Sequence, residues 1–362
     1  MIPLFKVHCP INIGSKIEDI FKSGTITEGV VSDQFEKVFA DYIGNPNTCM
    51  VNSCTSALTL AAHVIGIKPG DEVITTALTS MATNEPLYHT GARLVFADID
   101  ANTGNIDFED VKRKIRTGKT KAIVGVHLAG QPFDIDEINS IAKTYDIKVI
   151  EDAAHALGAE YNDKKIGNHS DFVCFSFQAI KHLTTVDGGA ILCKNKDDAV
   201  RIRKLRWFGL DRKFTGPRWE QDITECGFKM HMNNITAVIG LEQMKVIDEI
   251  IGGHIRNGRF YDDNIKNSRI RIMKNSNKAK SSYWIYPLLV ENRQNFQKYM
   301  FDNGVAADIV HYRNDDFSVF KKFRTDLPVL KEYSEKLINI PAGWWVSEED
   351  CRKITDFINA YK

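Results

Sequence analysis

The sequence has no excess of charge of either sign: 47 Lys and Arg stand against 47 Asp and Glu. Without a basic surface, neither nucleic acid nor anionic lipid is an expected partner. No apolar run approaches the roughly 20 residues that a bilayer-spanning helix needs. The opening stretch, Met1-Ile2-Pro3-Leu4-Phe5-Lys6, lacks the apolar core of a secretory signal, so a cytoplasmic protein is expected. The cysteines (Cys9, Cys49, Cys54, Cys174, Cys193, Cys226 and Cys351) form no C-x-x-C pair, and their number is odd. Free thiols in a reducing compartment are the expected state. The histidines contain no H-E-x-x-H spacing, and no metal site is expected. Internal repeats and low-complexity segments are also absent.

What is present fits an ordinary globular protein. The 362 residues suffice for one large domain and a smaller one, with 43% hydrophobic and 26% charged residues. Short apolar runs at 49–51, 72–75, 93–96, 122–126, 148–151, 172–177 and 189–193 read as strands. Helical periods lie between them, as at Ser56–Ile65. Strands separated by helices predict an α/β fold: a mainly parallel, seven-stranded sheet covered on both faces. The pattern changes after Gln243, which divides the chain into residues 1–243 and a smaller α/β unit, 244–362. Residues 246–266 read as a linking helix interrupted at Gly252-Gly253. Residues 283–290 read as an antiparallel strand. Ser347-Glu348-Glu349-Asp350 has the form of a capping box that opens a final helix.

Three polar clusters fall at strand ends, where open α/β sheets bind ligands. Asn52-Ser53-Cys54-Thr55-Ser56 joins a strand to a helix. It suits a phosphate at the helix start, or simply an N-cap by Thr55 or Ser56. Glu151-Asp152-Ala153-Ala154-His155 closes an apolar strand with an acidic pair, which is costly without a partner. A carboxylate there could keep a pyridine nitrogen protonated and so make the ring an electron sink. It could equally cap a helix, and His155 could be structural. Lys181 stands 29 positions beyond Asp152, between a strand and the pair Gly188-Gly189. A lone lysine is usually solvated, but one buried there could attack an aldehyde as the free amine.

These clusters resemble the DegT/DnrJ/EryC1/StrS aminotransferases, and the resemblance covers nearly the whole chain. It runs through Gly24-Thr25-Ile26-Thr27-Glu28-Gly29, Phe35 to Ala40, and Pro69-Gly70-Asp71-Glu72-Val73-Ile74. It continues through Glu151 to His155, Phe175-Ser176-Phe177 on to Lys181 and Gly188-Gly189, and Asn233-Asn234-Ile235 to Gln243. The resemblance implies an aspartate-aminotransferase-like fold (fold type I) and pyridoxal 5′-phosphate joined to Lys181 as an internal aldimine. Pyridoxamine phosphate would be the intermediate between two half-reactions.

Residue by residue, it implies that Lys181 shuttles the proton, Asp152 pairs with the pyridinium nitrogen and His155 lies near the phenolic oxygen. Cys54, Thr55, Ser56 and Ser176 would hold the phosphate, with Gln178 lining the site. Relatives carry glycine where Cys54 stands, and many stack an aromatic ring near Ser80. Met81 is the candidate cover here. The phosphate-binding asparagine of a partner chain aligns with Lys229, in a homodimer with shared sites. His311, Tyr312 and Arg313 are the candidates for nucleotide contacts. The implied reaction moves an amino group from L-glutamate, leaving 2-oxoglutarate, to a nucleotide-diphosphate keto sugar. The expected position is C4 of a 6-deoxy sugar for a surface glycan, with C3 the rival. Two further readings stand beside it: a dehydratase on the same scaffold and a non-catalytic regulatory homologue. Relatives that dehydrate replace the lysine with histidine, whereas here His182 follows a retained Lys181.

Overall fold

The computed structural model describes residues 1–274 and 276–362. The apolar runs become strands β1 (Thr48–Val51), β2 (Glu72–Thr76), β3 (Arg93–Ala97), β4 (Thr120–Val126) and β5 (Lys148–Asp152). A hairpin follows, β6 (Glu160–Tyr161) and β7 (Lys164–Lys165), and then β8 (Phe172–Ser176) and β9 (Gly189–Cys193). The main sheet has seven strands in the order β1-β9-β8-β5-β4-β2-β3. Only β9 runs against its neighbours; the other pairings are parallel. This is the α/β sheet the sequence predicts.

The strands read as unbroken apolar runs because both faces of the sheet are covered. Alternate residues feed two separate apolar clusters: Ala122, Val124 and Ile150 on one face, Ile123, Val149 and Val173 on the other. Helices Cys54–Ile65 and Lys196–Leu205 pack on the first face, and helices Val30–Ile43 and Ile135–Tyr145 on the second. Later in the chain come β10 (Ile270–Ile272), β11 (Ala279–Lys280), β12 (Tyr286–Val290) and β13 (Leu337–Ile340). β11 extends the β6–β7 hairpin, and β10-β12-β13 form an antiparallel sheet with its own apolar cluster. Ser347 caps the last helix, Glu348–Ala360: its Oγ accepts from the Asp350 N–H at 3.1 Å, as the sequence predicts.

Two local expectations change. The helix Ile247–Asn264 runs through Gly252 and Gly253 without a break. Gly253 is there for closeness, since a Cβ on it would lie 2.8 Å from Trp344 Cα. The strand expected from residue 283 begins at Tyr286, because Tyr283 takes a left-handed backbone with φ 48°. All seven cysteines are free, with Cys9 and Cys226 exposed. Among the described residues, no helix is long and apolar enough to cross a membrane.

β1, β2, β4, β5 and β8 all end at one edge of the main sheet, and antiparallel β9 starts there with Gly189. A Cβ on Gly189 would lie 2.7 Å from Cys54 N and from Phe175 O, backbone on both sides. Gly189→Ala is therefore expected to lower unfolding stability by about 1–3 kcal/mol. Gly252 meets nothing within 4 Å, so Gly252→Ala should raise stability by about 0.5–1 kcal/mol through helix propensity. Denaturant unfolding of the two variants checks both signs.

Candidate active site

A cavity of about 400 Å³ opens at that carboxyl edge. Asp152 closes β5 with its carboxylate at the cavity wall, 4% exposed. Its Oδ2 accepts from Thr83 Oγ1 at 2.7 Å and its Oδ1 from the Ala154 N–H at 3.1 Å. Thr83 has one hydroxyl proton, and Asp152 takes it. The Thr79 hydroxyl, 2.7 Å from Thr83 Oγ1, must then donate to Thr83. Asn314 donates to the Thr79 carbonyl at 2.8 Å and accepts from Asn84 at 2.8 Å. Asp152, Thr83, Thr79, Asn84 and Asn314 are all buried, and Ala154 is partly so. The neighbouring Glu151 points to the opposite face, where His127 lies 2.9 Å away.

Lys181 follows β8 and opens onto the same cavity. Its Nζ lies 3.8 Å over the ring of Trp284, whose Nε1–H donates to the Ile180 carbonyl at 2.8 Å. Desolvation by the surrounding protein pushes the Lys181 pKa down to about 8, against the opposing pull of Asp152 and Cys54. At pH 7 roughly a tenth of it is then free amine, the form that attacks an aldehyde.

His155 stacks on Trp284, ring centroids 3.8 Å apart and planes 8° apart. Its Nε2 lies 3.3 Å from His311 Nε2, and its buried Nδ1 has no partner. Burial pushes His155 well below its ordinary pKa and His311 to about 3. Both rings are neutral at pH 7.

The helix Cys54–Ile65 starts at the cavity. Its N-cap is Ser53, not Thr55 or Ser56; Ser53 Oγ accepts from the Ser56 N–H at 3.0 Å. The N–H groups of Cys54 and Thr55 have no intrahelical partner and carry the positive end of the helix dipole. Ser176, Gln178, Asp187 and Gly188 complete this part of the wall. The donor set matches pyridoxal phosphate: helix N–H groups for a phosphate, a buried carboxylate for a pyridinium, and a lysine with a lowered pKa for the aldehyde.

Four expected contacts lie elsewhere. Ser56 Oγ donates to Asn52 Oδ1 at 2.6 Å, inside the turn rather than on the cavity wall. Met81 starts the helix Met81–His89 and is 43% exposed, because the Ser80 side chain caps that helix and turns Met81 outward. Arg313 makes a bidentate pair with Asp315, 2.9 and 2.6 Å, so its guanidinium is already engaged. Tyr312 is exposed, off this cavity wall, while Lys229, expected at a partner chain's site, lies on the surface near Trp207. His182, next to the lysine, turns away: its Nε2 lies 3.1 Å from the Ser282 carbonyl. Sequence patterns do not single out Thr79, Thr83 or Trp284. The four-residue spacing of the two threonines is the only signal for that pair. Trp284 lies inside what reads as a strand.

Sheet and cavity together define the class, fold type I enzymes that carry pyridoxal phosphate. The chain belongs to the DegT/DnrJ/EryC1/StrS aminotransferase family, whose model matches residues 12–359. A UDP-4-amino-4,6-dideoxy-N-acetyl-beta-L-altrosamine transaminase of Campylobacter jejuni is 33% identical, over 92% of this chain and 90% of that protein. The crystal structure of sugar aminotransferase CalS13 from Micromonospora echinospora superposes with a TM-score of 0.96 at 32% identity, covering 100% of both chains. The putative sugar aminotransferase Spr1654 of Streptococcus pneumoniae, in its PMP-form, gives 0.92 at 28% identity, over 99% and 98% of the two chains. The family is pyridoxal-phosphate-dependent and acts on nucleotide sugars, and this protein is an aminotransferase.

Two measurements test the chemistry of the wall. Capture of added pyridoxal phosphate by the apo-protein should speed up about tenfold per pH unit and level off above pH about 8. The sign follows from a lowered lysine pKa: the reactive free amine gains as pH rises through it. Asp152→Asn removes a charge that holds the pKa up, so its midpoint should fall further. A wild-type midpoint near the ordinary 10.5 would show a solvated amine. Thr83→Val leaves the buried carboxylate one donor short. It should weaken cofactor binding about tenfold and cost about 1–3 kcal/mol in thermal unfolding; unchanged binding would remove Thr83 from the site.

Proposed function

We propose that this protein transfers the amino group of L-glutamate to the keto group of a 6-deoxy sugar carried on a nucleotide diphosphate, at C4, for a surface glycan. The observation that carries the reading is the pairing of a lysine of lowered pKa with a buried carboxylate on one cavity wall. The name of the Campylobacter relative, a 4-amino-4,6-dideoxy sugar transaminase, supports C4 over C3.

The residues divide the work as follows. The cofactor, when bound, supplies a ring that takes up the electron pair released at the substrate carbon. Asp152 keeps a proton on the pyridine nitrogen through its negative charge. Lys181 takes a proton from the substrate carbon and returns one, a task suited to a pKa of about 8. Cys54, Thr55 and Ser176 bind the phosphate. Trp284 and His155 close one side of the cavity with stacked rings and exclude water. Two separate half-reactions imply ping-pong kinetics.

Among the described residues, no arginine lines the cavity, so the acidic groups of donor and nucleotide need cations from outside it. A second copy of the chain is the proposed source, with Lys229 reaching the neighbour's phosphate. Phe208, Phe214, Trp219 and Ile223 are exposed on the segment just before Lys229, and such a copy would cover them. We further assign residues 1–243 to a cofactor-binding domain and 244–362 to a smaller one. One apolar cluster whose buried members all lie between Tyr261 and Ile358, with Ile2 packed against it, supports that division. A dehydratase is disfavoured, since Lys181 and not His182 faces the cavity. A regulatory homologue would need neither a proton-shuttling lysine nor its carboxylate.

The purified protein should be yellow. L-Glutamate should move the absorption band to that of pyridoxamine phosphate, and a nucleotide-linked 4-keto-6-deoxy sugar should restore it. A protein that stays colourless with added cofactor would overturn the reading. No shift with glutamate would overturn the donor, and restoration by 3-keto sugars alone would move the assignment to C3.

A further inference from the structure

We propose that Trp284 is a positioning residue for Lys181. Its indole N–H fixes the peptide unit from which the lysine hangs, and its ring face seats the lysine ammonium whenever the amine is not joined to a cofactor. This deepens the reading of the cavity as a pyridoxal-phosphate site and rests on it.

One side chain reaches both ends of Lys181. The Trp284 Nε1–H donates to the Ile180 carbonyl at 2.8 Å, and that carbonyl belongs to the peptide bond entering Lys181. At the far end, Lys181 Nζ lies 3.8 Å from the centroid of the same ring. The Ile180 N–H is held as well, by Gln178 Oε1 at 3.1 Å. With both polar groups of Ile180 engaged, the turn before the lysine cannot rotate without breaking one of these bonds.

Among the described residues, the Lys181 amine makes no hydrogen bond and no ion pair. Asp152 on β5 is its negative neighbour, but the carboxylate oxygens accept from Thr83 and Ala154. Cys54, at the start of the helix Cys54–Ile65, keeps its proton, since burial and Asp152 push its thiol well up. Burial holds His155, His311 and His182 below their ordinary range, so all three are uncharged at neutral pH. The π face is therefore what meets the ammonium directly, and a desolvated cation over indole is the strong form of that contact.

The backbone that delivers the ring is strained. Tyr283 and Ala129 both take left-handed φ, 48° and 56°, which is costly for residues with a Cβ. The Trp284 backbone N–H joins these two segments by donating to the Ala129 carbonyl at 2.9 Å, and the Ser282 N–H donates to the Gly130 carbonyl at 3.1 Å. Such strain persists only where the surroundings enforce it, and it clusters at functional sites. Here it brings one ring against one amine.

Fluorination drains the π face of an indole while keeping its shape and its N–H, so it separates the seat from mere packing. Trp284 is replaced in the full chain by monofluoro-, difluoro- and tetrafluorotryptophan. The titration of Lys181 is read in the apo form from the pH dependence of its acetylation by acetic anhydride, followed by mass spectrometry. The wild-type midpoint is expected at about 8. A ring that favours the ammonium holds this midpoint up. It should therefore fall with each added fluorine, by about one unit in the tetrafluoro form. Trp284→Phe keeps a ring and removes the N–H. In the cofactor-loaded enzyme its kcat should fall about tenfold, with the KM of the nucleotide sugar unchanged.

A midpoint that stays or rises across the fluorinated series overturns the proposal. So does a folded Phe variant with wild-type kcat, and so does a raised KM at constant kcat, which would mark a substrate contact. Should the Phe variant fail to fold, the fluorinated series decides, since it keeps the native ring's shape and N–H. Acetylation needs no cofactor. A protein with the expected midpoints that takes up no pyridoxal phosphate would refute the cofactor reading instead, so the two failures are distinguishable.

Discussion

Asp152 carries its carboxylate to the end of a central strand, into a place that leaves 4% of the residue exposed. A buried charge there costs several kcal/mol unless the protein surrounds it with donors and a positive partner arrives. Much of the local structure answers that requirement. The Thr83 hydroxyl and the Ala154 N–H supply two donors. The Ala153 N–H bonds the Cys174 carbonyl of β8 at 2.8 Å and fixes the turn that follows the strand. Thr79, Asn84 and Asn314 support Thr83 in turn, each buried and each paired. Among the described residues, this shell provides no cation in hydrogen-bond contact with the carboxylate, and a protonated pyridine nitrogen is such a cation. The acidic pair divides across the sheet by strand alternation, Glu151 to His127 on one face and Asp152 to the cavity on the other.

The same economy of burial governs Lys181. Enclosure lowers its pKa, while Asp152 and Cys54 raise it. A cation–π contact with Trp284 holds the ammonium form in place. The result is an amine that neither stays charged as a surface lysine does nor loses its charge outright. Such a balance suits a group that would serve both as nucleophile and as proton carrier.

These contacts differ in how far they can be read in the sequence, and the difference is physical. Parallel strands buried on both faces leave continuous apolar runs, so the sheet and the strand ends that carry Asp152 and Lys181 are legible. The N–H groups of Cys54 and Thr55 follow from any helix that begins after such a strand. Thr83 lies 69 positions from Asp152, and His311 lies 156 from His155. No local pattern encodes contacts of that range. Arg313 shows the converse. A free guanidinium is the natural expectation, yet Asp315, two residues on, occupies it. Met81 is the expected cover for the cofactor, but it begins the helix that Ser80 caps and is 43% exposed, off the cavity wall that Ser80 lines. The aromatic ring of the cavity wall comes instead from Trp284, placed by the left-handed backbone at Tyr283 and by the Trp284 backbone N–H bonding the Ala129 carbonyl at 2.9 Å.

The strap from Asp308 to Asn314 ties the two sheets to the site. One end is fixed to β13 of the antiparallel sheet and the other to the loop after β2 of the main sheet. Between its anchors it delivers His311 to His155, and at its end Asn314 braces the Thr79 carbonyl beside Thr83. Both side chains that line the cavity from β5 and the turn after it, Asp152 and His155, are thus braced from one short segment of distant sequence. Any displacement of the antiparallel sheet against the main sheet must strain this segment, because its two ends belong to different sheets and its middle is held by stacked rings. The Asp152 carboxylate and the His155 imidazole therefore report on the same junction, and the cavity keeps its shape only while the two sheets keep their register.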